Sequence, residues 1–214
     1  MRYLIVCGGK IDKEFGLNEI KTDGIDAIIA ADSGMDFLYE NGVTPDIIVG
    51  DFDSATTKSL EYFERKGQTE IHRLNPIKDD TDTEYAIRLA IREGARSIVL
   101  LGATGSRIDH VLGNISLLGI GLESGTDISI IDTNNRIRMA DKPITIEKSA
   151  QYGRFVSLIA VTDDNEVSLR GFKYPVTDYS FDRFTSLGIS NEIVDDHALI
   201  DIHRGKFIII ESKD

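Results

Sequence analysis

One acidic segment organises the first part of this chain, and it reads Ile47-Ile48-Val49-Gly50-Asp51-Phe52-Asp53-Ser54. Its first three residues are apolar and β-branched, which favours a buried strand. Its two aspartates follow where that strand opens into a loop. Residues i and i+2 of an extended segment point to the same side, so Asp51 and Asp53 are placed to reach one site. The segment therefore predicts a buried strand that ends in a pair of carboxylates.

Short apolar runs alternate with helical patterns around this segment, from the first residue to about Asp132. The predicted strands are Leu4–Val6, Ala27–Ala30, Ile47–Val49, Ile98–Leu101 and Ile128–Ile131, with Glu70–Leu74 as a weaker sixth. The predicted helices are Met35–Glu40, Thr57–Lys66, Asp82–Glu93 and Asp109–Leu122. This alternation predicts a mostly parallel, Rossmann-like α/β sheet that helices cover on both faces. In such sheets ligands bind in the crevice beyond the carboxyl ends of the strands.

Helical periodicity disappears after Asp132, and short apolar runs separated by turn signals take its place. These runs are Ile137–Met139, Ile144–Ile146, Phe155–Val161, Val167–Leu169, Ile193–Val194, Leu199–Ile202 and Phe207–Ile210. Short strands at this spacing are typical of an all-β sandwich or a partly closed barrel. The sequence therefore predicts two domains that meet near Asn134, an α/β domain over 1–133 and an all-β sandwich over 134–214.

The overall composition limits the classes of partner. The chain has 214 residues and a formal net charge of −12, whereas a protein that binds duplex nucleic acid needs a basic stripe, so nucleic acid is not an expected partner. No stretch is long and apolar enough to span a membrane. A single cysteine, Cys7, agrees with a reducing cytoplasm, which is the expected location. Solubility explains most of the acidity, but closely packed carboxylates usually require a bound divalent cation.

Unusual polar clusters occur at the ends of the predicted strands. They are Asp32-Ser33-Gly34 after the second strand, Asp46 before and Asp51/Asp53 after the third, Asp79, Asp80 and Asp82 at a helix start, and 102–110 after Ile98–Leu101. Because the carboxyl ends of parallel strands meet at one edge of a sheet, we expect these loops to converge. Asp32-Ser33-Gly34 is the weaker signal, since a simple strand-to-helix turn explains it equally well.

The carboxylates of Asp51, Asp53 and Asp82 are candidate ligands of Mg²⁺, a hard cation that binds oxygen and shares itself with substrate phosphates. Lys78 is a candidate phosphate ligand in the same region. Two simpler interpretations stand beside this one, an exposed acidic turn for Asp51 and Asp53 and ordinary helix capping for the aspartates of 78–82. Three aspartates exceed what a helix cap needs, which favours a functional role.

The glycine-containing loop over 102–110 permits backbone N–H groups to approach phosphate oxygens, with a helix N-terminus behind it. It matches neither a Walker A motif nor a dinucleotide-binding glycine motif. Arg107 offers a bidentate fork for a phosphate, and Asp109 is placed either to orient Arg107 or to bind metal. For His110, packing or a local hydrogen bond at the helix start is the favoured interpretation.

Two segments stand out in the all-β part. Tyr174 precedes Pro175 and is therefore held extended, so its ring is a candidate stacking face for an aromatic ligand. An ordinary aromatic residue of a sandwich is the simpler interpretation, and the sequence pattern alone favours it. Ser190-Asn191 has the composition of a turn.

Taken in order, these motifs resemble the thiamine pyrophosphokinase family. They are Asp32-Ser33-Gly34, Pro45-Asp46, Gly50–Ser54, Lys78–Asp82, Gly102-x-x-Gly105-x-Arg107-x-Asp109-His110, Gly171–Tyr174 and Ser190-Asn191. Each motif is weak alone, but the ordered set is specific and spans nearly the whole chain. The resemblance implies an N-terminal α/β domain, a C-terminal β-sandwich and a homodimer with active sites at the subunit interface. It also implies transfer of the terminal diphosphate of ATP to the hydroxyl of thiamine, with release of AMP.

The resemblance also implies roles for individual residues. Asp51, Asp53 and Asp82 correspond to the magnesium and catalytic carboxylates, and Arg107 neutralises the polyphosphate. The nucleotide region comprises Asp32, Ser33, Gly34, Asp46, Lys78, Asp79, Thr81, Gly105 and Asp109. Tyr174 stands where some relatives carry a tryptophan beside thiamine, and Ser190-Asn191 match the segment that closes that pocket. Either Asp51 or Asp53 is placed to deprotonate or orient the hydroxyl.

Two other functions are compatible with the residues alone. A metal-dependent phosphohydrolase with an aspartyl nucleophile is suggested by Asp51-Phe52-Asp53, but that class prefers its Asp-x-Asp after the first strand, and here it follows the third. A non-catalytic nucleotide-binding module with an interaction domain is the second alternative. The hydrolase predicts orthophosphate release without thiamine, and the module predicts ATP binding without turnover.

Overall fold

The computed structural model describes residues 1–52, 56–75 and 80–214. The chain forms two compact units, Met1–Thr133 and Asn134–Asp214. Among the helices that the structure describes, none combines the length and the apolar character that crossing a bilayer requires.

The first unit alternates strands and helices as the sequence predicts. Its elements are β1 (Arg2–Val6), α1 (Lys13–Ile20), β2 (Ala27–Ala31), α2 (Gly34–Glu40), β3 (Ile47–Gly50), α3 (Thr57–Lys66), β4 (Glu70–Arg73), α4 (Asp82–Arg92), β5 (Ser97–Leu101), α5 (Ile108–Ser124) and β6 (Asp127–Ile131). Within this unit the strands lie in the order β6-β5-β1-β2-β3-β4, and every pair is parallel. The predicted parallel α/β sheet is therefore confirmed.

Helices cover both faces of this sheet, because the strands are apolar on both sides. Met35 and Leu38 of α2 and Phe63 of α3 are fully buried and share one core with the strand residues of one face. Ala86, Ile87 and Ala90 of α4 are also fully buried, and α4 packs on β1, β2 and β3. Removal of this apolar surface from water is the main force that holds the layers together.

Helix α1 was missed by the sequence patterns. Asp12 caps it, because its side chain accepts a hydrogen bond from the backbone N–H of Phe15. Gly16 lowers the helix propensity of this segment, since glycine disfavours helix interiors, and the sequence therefore does not indicate a helix there. Glycine lets α1 pack closely here, because a Cβ would lie 2.6 Å from Cγ2 of Ile11 and 2.7 Å from the ring of Phe37.

The strand order creates a crevice at a defined place. From β1 the chain moves outward through β2, β3 and β4, and it then returns to the other side of β1 to form β5 and β6. The loops that follow β1 and β5 therefore diverge from a topological switch point, where open α/β sheets bind their ligands. The fold thus predicts a binding site beside the β1–α1 and β5–α5 loops.

The second unit consists of two antiparallel sheets. Its strands are β7 (Asn135–Ala140), β8 (Ile144–Glu147), β9 (Phe155–Ala160), β10 (Glu166–Arg170), β11 (Val176–Ser180), β12 (Asn191–Glu192), β13 (His197–Arg204) and β14 (Phe207–Ser212). One sheet has the order β12-β9-β14-β7 and the other β11-β10-β13-β8. Buried residues from both sheets, such as Leu158, Val167, Ile200 and Phe207, form one core. The unit is therefore a β-sandwich, as the sequence predicts.

Two details of the sandwich differ from the sequence prediction. Strand β11 was missed because four of its five residues are exposed, so it lacks a buried apolar alternation. The run Ile193–Val194 was predicted as a strand, but the strand itself is Asn191–Glu192. Ile193 instead forms an isolated bridge with Phe172.

Candidate active site

Three carboxylates meet at the carboxyl edge of the parallel sheet. Asp32 follows β2, Asp51 follows β3, and Asp82 is the first residue of α4. One carboxylate oxygen from each lies within 4.8 Å of the other two, and all three residues are half-buried. Strands β2 and β3 are neighbours, which explains why their ends bring Asp32 and Asp51 together. Three converging carboxylate oxygens suit a hard divalent cation such as Mg²⁺, and repulsion between them would be relieved by one.

The backbone holds Asp32 in a tight position beside β3. Its N–H donates to the carbonyl oxygen of Val49 at 2.8 Å, and its φ of 48° lies in the left-handed region that aspartate tolerates better than most residues. Gly34, two residues on, is needed for close approach, because a Cβ there would lie 2.0 Å from the carbonyl oxygen of Val6. The short turn that carries Asp32 is therefore packed directly against the end of β1.

A cavity of about 970 Å³ lies at the switch point of the first unit. We call it the switch-point cavity. Loops after β1, β2 and β5 line it, together with the first turns of α4 and α5. The sequence-predicted site residues that line it are Asp32, Ser33, Thr81, Asp82, Gly105, Arg107 and Asp109. The fold therefore gathers residues from three separate motifs around one space large enough for a nucleotide.

Arg107 and Asp109 form a bidentate pair at the mouth of the cavity. The Arg107 Nε and Nη2 atoms donate to the two Asp109 oxygens at 3.2 Å and 2.6 Å. The hydrogen bond from Arg107, supported by the backbone N–H of His110, lowers the pKa of Asp109 to about 2. Both side chains are about two-thirds exposed, so the pair adds little to stability. The pair instead orients Arg107, because Asp109 holds the guanidinium in one direction while leaving it exposed.

Thr81 acts through the helix that carries Asp82. Its side-chain oxygen accepts a hydrogen bond from the backbone N–H of Glu84 at 3.2 Å, which makes it the cap of α4. The cap fixes the first turn of α4 and with it the position of Asp82.

Cys7 lies on the cavity wall as a neutral thiol. Burial raises its pKa to about 11, against a smaller opposing effect of the hydrogen bond that Thr83 donates to its sulfur. A thiol with this pKa is a poor nucleophile near neutral pH, so Cys7 shapes the wall rather than reacts.

Asp36 is a residue that the sequence patterns missed. Its carboxylate accepts hydrogen bonds from the N–H of Thr56 at 3.2 Å, from the Thr56 hydroxyl at 2.7 Å and from the Ser59 hydroxyl. It therefore ties α2 to the start of α3, directly after the acidic segment. Asp36 lies in the first turn of α2, where acidic residues are common because they favour the helix dipole. The sequence alone therefore could not show that Asp36 binds the start of α3.

Not every predicted residue reaches this edge of the sheet. Asp46 lies at the amino end of β3, where its carboxylate accepts a hydrogen bond from the N–H of Ile28 at 2.8 Å. It joins β2 to β3 at the end opposite Asp51, so the structure does not bring it to the carboxylate cluster. The predicted residues Asp53, Lys78 and Asp79 lie outside the described residues.

In the second unit, Asn191 holds the main chain of Tyr174. The Asn191 Oδ1 atom accepts from the N–H groups of Tyr174 and Glu192 at 3.0 Å and 2.9 Å, and its Nδ2 donates to the Tyr174 carbonyl at 2.9 Å. Asn191 is buried, whereas Tyr174 is 62% exposed. Its neighbour Ser190 has a φ of 60° and donates its N–H to the Ser157 hydroxyl. Asn191 thus holds the main chain of Tyr174. The Lys173 ammonium lies over the Tyr174 ring, 5.6 Å from its centroid, and most of the residue remains exposed.

Models of known families match both units of the chain. The one described as thiamin pyrophosphokinase, catalytic domain, matches residues 21–130, and the one described as thiamin pyrophosphokinase, vitamin B1 binding domain, matches residues 143–207. The chain belongs to the thiamine pyrophosphokinase family. Asp32, Asp51, Asp82, Arg107 and Asp109 all fall within the catalytic match of this family, and Tyr174 and Ser190-Asn191 fall within the vitamin B1 binding match.

Individual thiamine pyrophosphokinases are similar along most of the chain. The thiamine pyrophosphokinase of Bacillus subtilis is 35% identical over 87% of each chain. A crystal structure of the enzyme from the same organism superposes with a TM-score of 0.89 at 32% identity and covers 100% of both chains. The crystal structure of the thiamin pyrophosphokinase from Geobacillus thermodenitrificans superposes with a TM-score of 0.86 at 29% identity. The match covers 100% of this chain and 98% of the Geobacillus chain. The family resemblance inferred from the motifs is therefore confirmed.

Proposed function

We propose that this chain transfers the terminal diphosphate of ATP to the hydroxyl group of thiamine, giving thiamine diphosphate and AMP, with Mg²⁺ as the metal. The observation that carries this proposal is the cluster of Asp32, Asp51 and Asp82 beside the switch-point cavity, in a chain whose two units match the two domains of the thiamine pyrophosphokinase family. A metal-dependent diphosphate transfer needs a carboxylate cluster beside a nucleotide-sized space, and the first unit has both.

The metal would be held by oxygens of Asp32, Asp51 and Asp82, with Asp53 as a fourth candidate. When bound, Mg²⁺ would neutralise polyphosphate charge and draw the phosphate oxygens into a fixed arrangement. The sequence motifs assign Asp32 to the nucleotide and only Asp51, Asp53 and Asp82 to the metal. The distances favour adding Asp32 to the metal group.

The nucleotide would lie in the switch-point cavity. Asp109 holds the Nε–Nη2 edge of Arg107, so Arg107 would donate hydrogen bonds to the polyphosphate from its other edge, formed by Nη1 and Nη2. The loop that contains Gly105 and the turn at Ser33-Gly34 would bring backbone N–H groups close to phosphate oxygens. Lys78, Asp79 and Thr81 belong to the same proposed nucleotide region.

In the reaction, the hydroxyl oxygen of thiamine attacks the β-phosphorus of ATP. The bond from that phosphorus to the oxygen shared with the α-phosphate breaks, and this oxygen leaves as part of AMP. The hydroxyl proton passes to a carboxylate, for which Asp51 and Asp53 are the candidates. Arg107 supplies a permanent positive charge that offsets the negative charge on the phosphate oxygens as the bonds change.

The second unit would bind thiamine. The exposed ring of Tyr174, held by Asn191, would contact the cationic thiazolium, since the face of an aromatic ring attracts a cation. The net charge of −12 favours approach of the same cation. The two rival functions are not favoured, because neither a phosphohydrolase nor a simple binding module accounts for a match to both domains of one transferase family.

The activity is tested by incubating the purified chain with ATP, Mg²⁺ and thiamine and separating the products by ion-exchange chromatography. We expect AMP and thiamine diphosphate in equal amounts and no AMP when thiamine is omitted. ADP and orthophosphate without thiamine would instead indicate the phosphohydrolase. ATP binding with no product would indicate the non-catalytic module.

We also propose a cytoplasmic homodimer in which each active site combines the first unit of one subunit with the second unit of its partner. The proposal rests on the family resemblance, and subunit mixing tests it. Asp82→Asn and Tyr174→Ala each impair a different unit, so a heterodimer of the two variants would contain one intact site. Mixing after reversible dissociation is expected to restore about one quarter of the wild-type rate, since half of the dimers are mixed and half of their sites are intact. Activity no greater than that of the separate variants would contradict interface sites.

A further inference from the structure

The loop over residues 7–10, between β1 and α1, is fixed at the switch point by its neighbours. The N–H of Cys7 donates to the Leu101 carbonyl at 2.7 Å, and the N–H of Gly9 donates to the Gly102 carbonyl at 2.9 Å. A Cβ on Gly9 would lie 2.3 Å from the Gly102 carbonyl oxygen, so only glycine permits this approach. The loop is therefore wedged against the β5–α5 loop, which lines the same cavity.

The other side of this loop is equally close to the turn after β2. A Cβ on Gly8 would lie 2.1 Å from the hydroxyl oxygen of Ser33. Two consecutive glycines thus let the loop pass between the turn that carries Asp32 and the loop that precedes Arg107. The residue that follows them, Lys10, lines the switch-point cavity and is exposed.

Lys10 differs from the other permanently charged cation that lines the described part of the cavity. Arg107 is paired with Asp109, whereas Lys10 forms no hydrogen bond or ion pair with any residue in 1–52, 56–75 or 80–214. Among the described residues, three aspartates, Asp32, Asp82 and Asp109, line the same cavity, and Lys10 pairs with none of them. Its ammonium group instead keeps all three of its donors available for a ligand.

The chemistry of Lys10 and its place indicate its ligand. Its ammonium group is a point charge on a flexible stem, which suits a non-bridging phosphate oxygen. A ligand in the switch-point crevice lies over the carboxyl ends of β1 and β5, directly beside the loop that carries Lys10. Arg107 approaches the same space from the β5–α5 side.

We propose that Lys10 binds the diphosphate of ATP that is transferred, through hydrogen bonds from its ammonium group to non-bridging phosphate oxygens. This inference rests on the proposed function, because the triphosphate is the substrate of that function. It adds a residue from a loop that none of the sequence motifs includes. It also gives a reason for the two glycines, which bring the loop close enough for the lysine to line the cavity.

Isothermal titration calorimetry tests this proposal without turnover. The probes are α,β-methylene-ATP with Mg²⁺, whose bridging carbon blocks transfer, and AMP, which lacks the diphosphate. For Lys10→Ala we expect affinity for the analogue to fall roughly 10- to 100-fold, as for loss of a hydrogen bond to a charged group, and affinity for AMP to stay within about 2-fold. Lys10→Arg keeps the charge and should retain most of the affinity for the analogue.

Lys13→Ala is the matched control, because Lys13 is an exposed lysine three residues away that does not line the cavity. It should leave both affinities unchanged. An unchanged affinity of Lys10→Ala for the analogue would overturn the proposal, and so would an equal loss of affinity for AMP and the analogue. A wild-type chain that binds the analogue through Lys10 but forms no thiamine diphosphate would refute the proposed function and leave the phosphate contact of Lys10 standing.

Discussion

Asp82→Asn is expected to reduce the formation of thiamine diphosphate by roughly 10²- to 10³-fold at fixed Mg²⁺, the scale of losing one preorganised electrostatic contact in an active site. The asparagine side chain has the same shape but lacks the negative charge that would bind the metal. The fold should persist, because Asp82 is half-buried and Thr81, rather than Asp82, caps α4. The measurement is the initial rate over a range of Mg²⁺ concentrations, and the apparent affinity for Mg²⁺ should fall with it.

The matched control for this variant is Asp23→Asn, which removes one carboxylate from an exposed turn that is remote in sequence from the cluster. We expect it to retain the wild-type rate. If Asp82→Asn keeps the wild-type rate and Mg²⁺ dependence, the carboxylate cluster is not the metal site. If circular dichroism shows that the variant is unfolded, Asp82 has a structural role instead, and that result contradicts our assignment.

Gly34→Ala is expected to lower the free energy of unfolding by about 3 kcal/mol or more, because the added methyl group overpacks a site closed by backbone. Its Cβ would lie 2.0 Å from the carbonyl oxygen and 2.6 Å from the carbonyl carbon of Val6. These atoms belong to β1, which is hydrogen-bonded between β2 and β5 and cannot move without disturbing the sheet. Urea unfolding monitored by circular dichroism measures the effect.

Gly113→Ala is the opposite case within the same unit. Gly113 lies inside α5, and among the described residues a Cβ there would meet no atom within 4 Å beyond its chain neighbours and the backbone of its own helix. Replacing a helix-interior glycine with alanine should therefore raise the free energy of unfolding by about 0.5–1 kcal/mol.

Equal urea midpoints for Gly34→Ala and the wild type would contradict the first of these two predictions, because they would show that position 34 has room for a methyl group beside Val6.

The sequence predicted that acidic strand ends meet at one edge of the sheet, but not which of the aspartates lie closest together. Strand ends in a parallel sheet converge, so Asp51 and Asp82 could be assigned to one edge from chain order alone. Asp32 was assigned to the nucleotide, because nothing in the sequence shows that β2 pairs with β3 and brings Asp32 to Asp51. Asp46 is close to Asp51 in sequence but lies at the other end of the same strand, so it does not share the edge at which Asp32, Asp51 and Asp82 meet.

Contacts made through the backbone could not be predicted from the sequence either. Ser190-Asn191 has the composition of a turn, and only the structure shows that the Asn191 amide holds the main chain of Tyr174. Lys10 was missed because a single lysine after two glycines is common, and its meaning depends on the β1 and β5 loops lying side by side. Gly8-Gly9 directly after the first strand was the one available signal. The assignments of Asp53, Lys78 and Asp79 stay predictions.

The most direct test of the central claim follows the diphosphate itself. The chain is incubated with thiamine, Mg²⁺ and ATP that carries a radioactive label on its γ-phosphorus, and the products are separated by chromatography. We predict that the label appears in thiamine diphosphate, in an amount equal to the AMP released. Label in orthophosphate with ADP as the second product, or in thiamine monophosphate, would contradict transfer of the diphosphate as one unit.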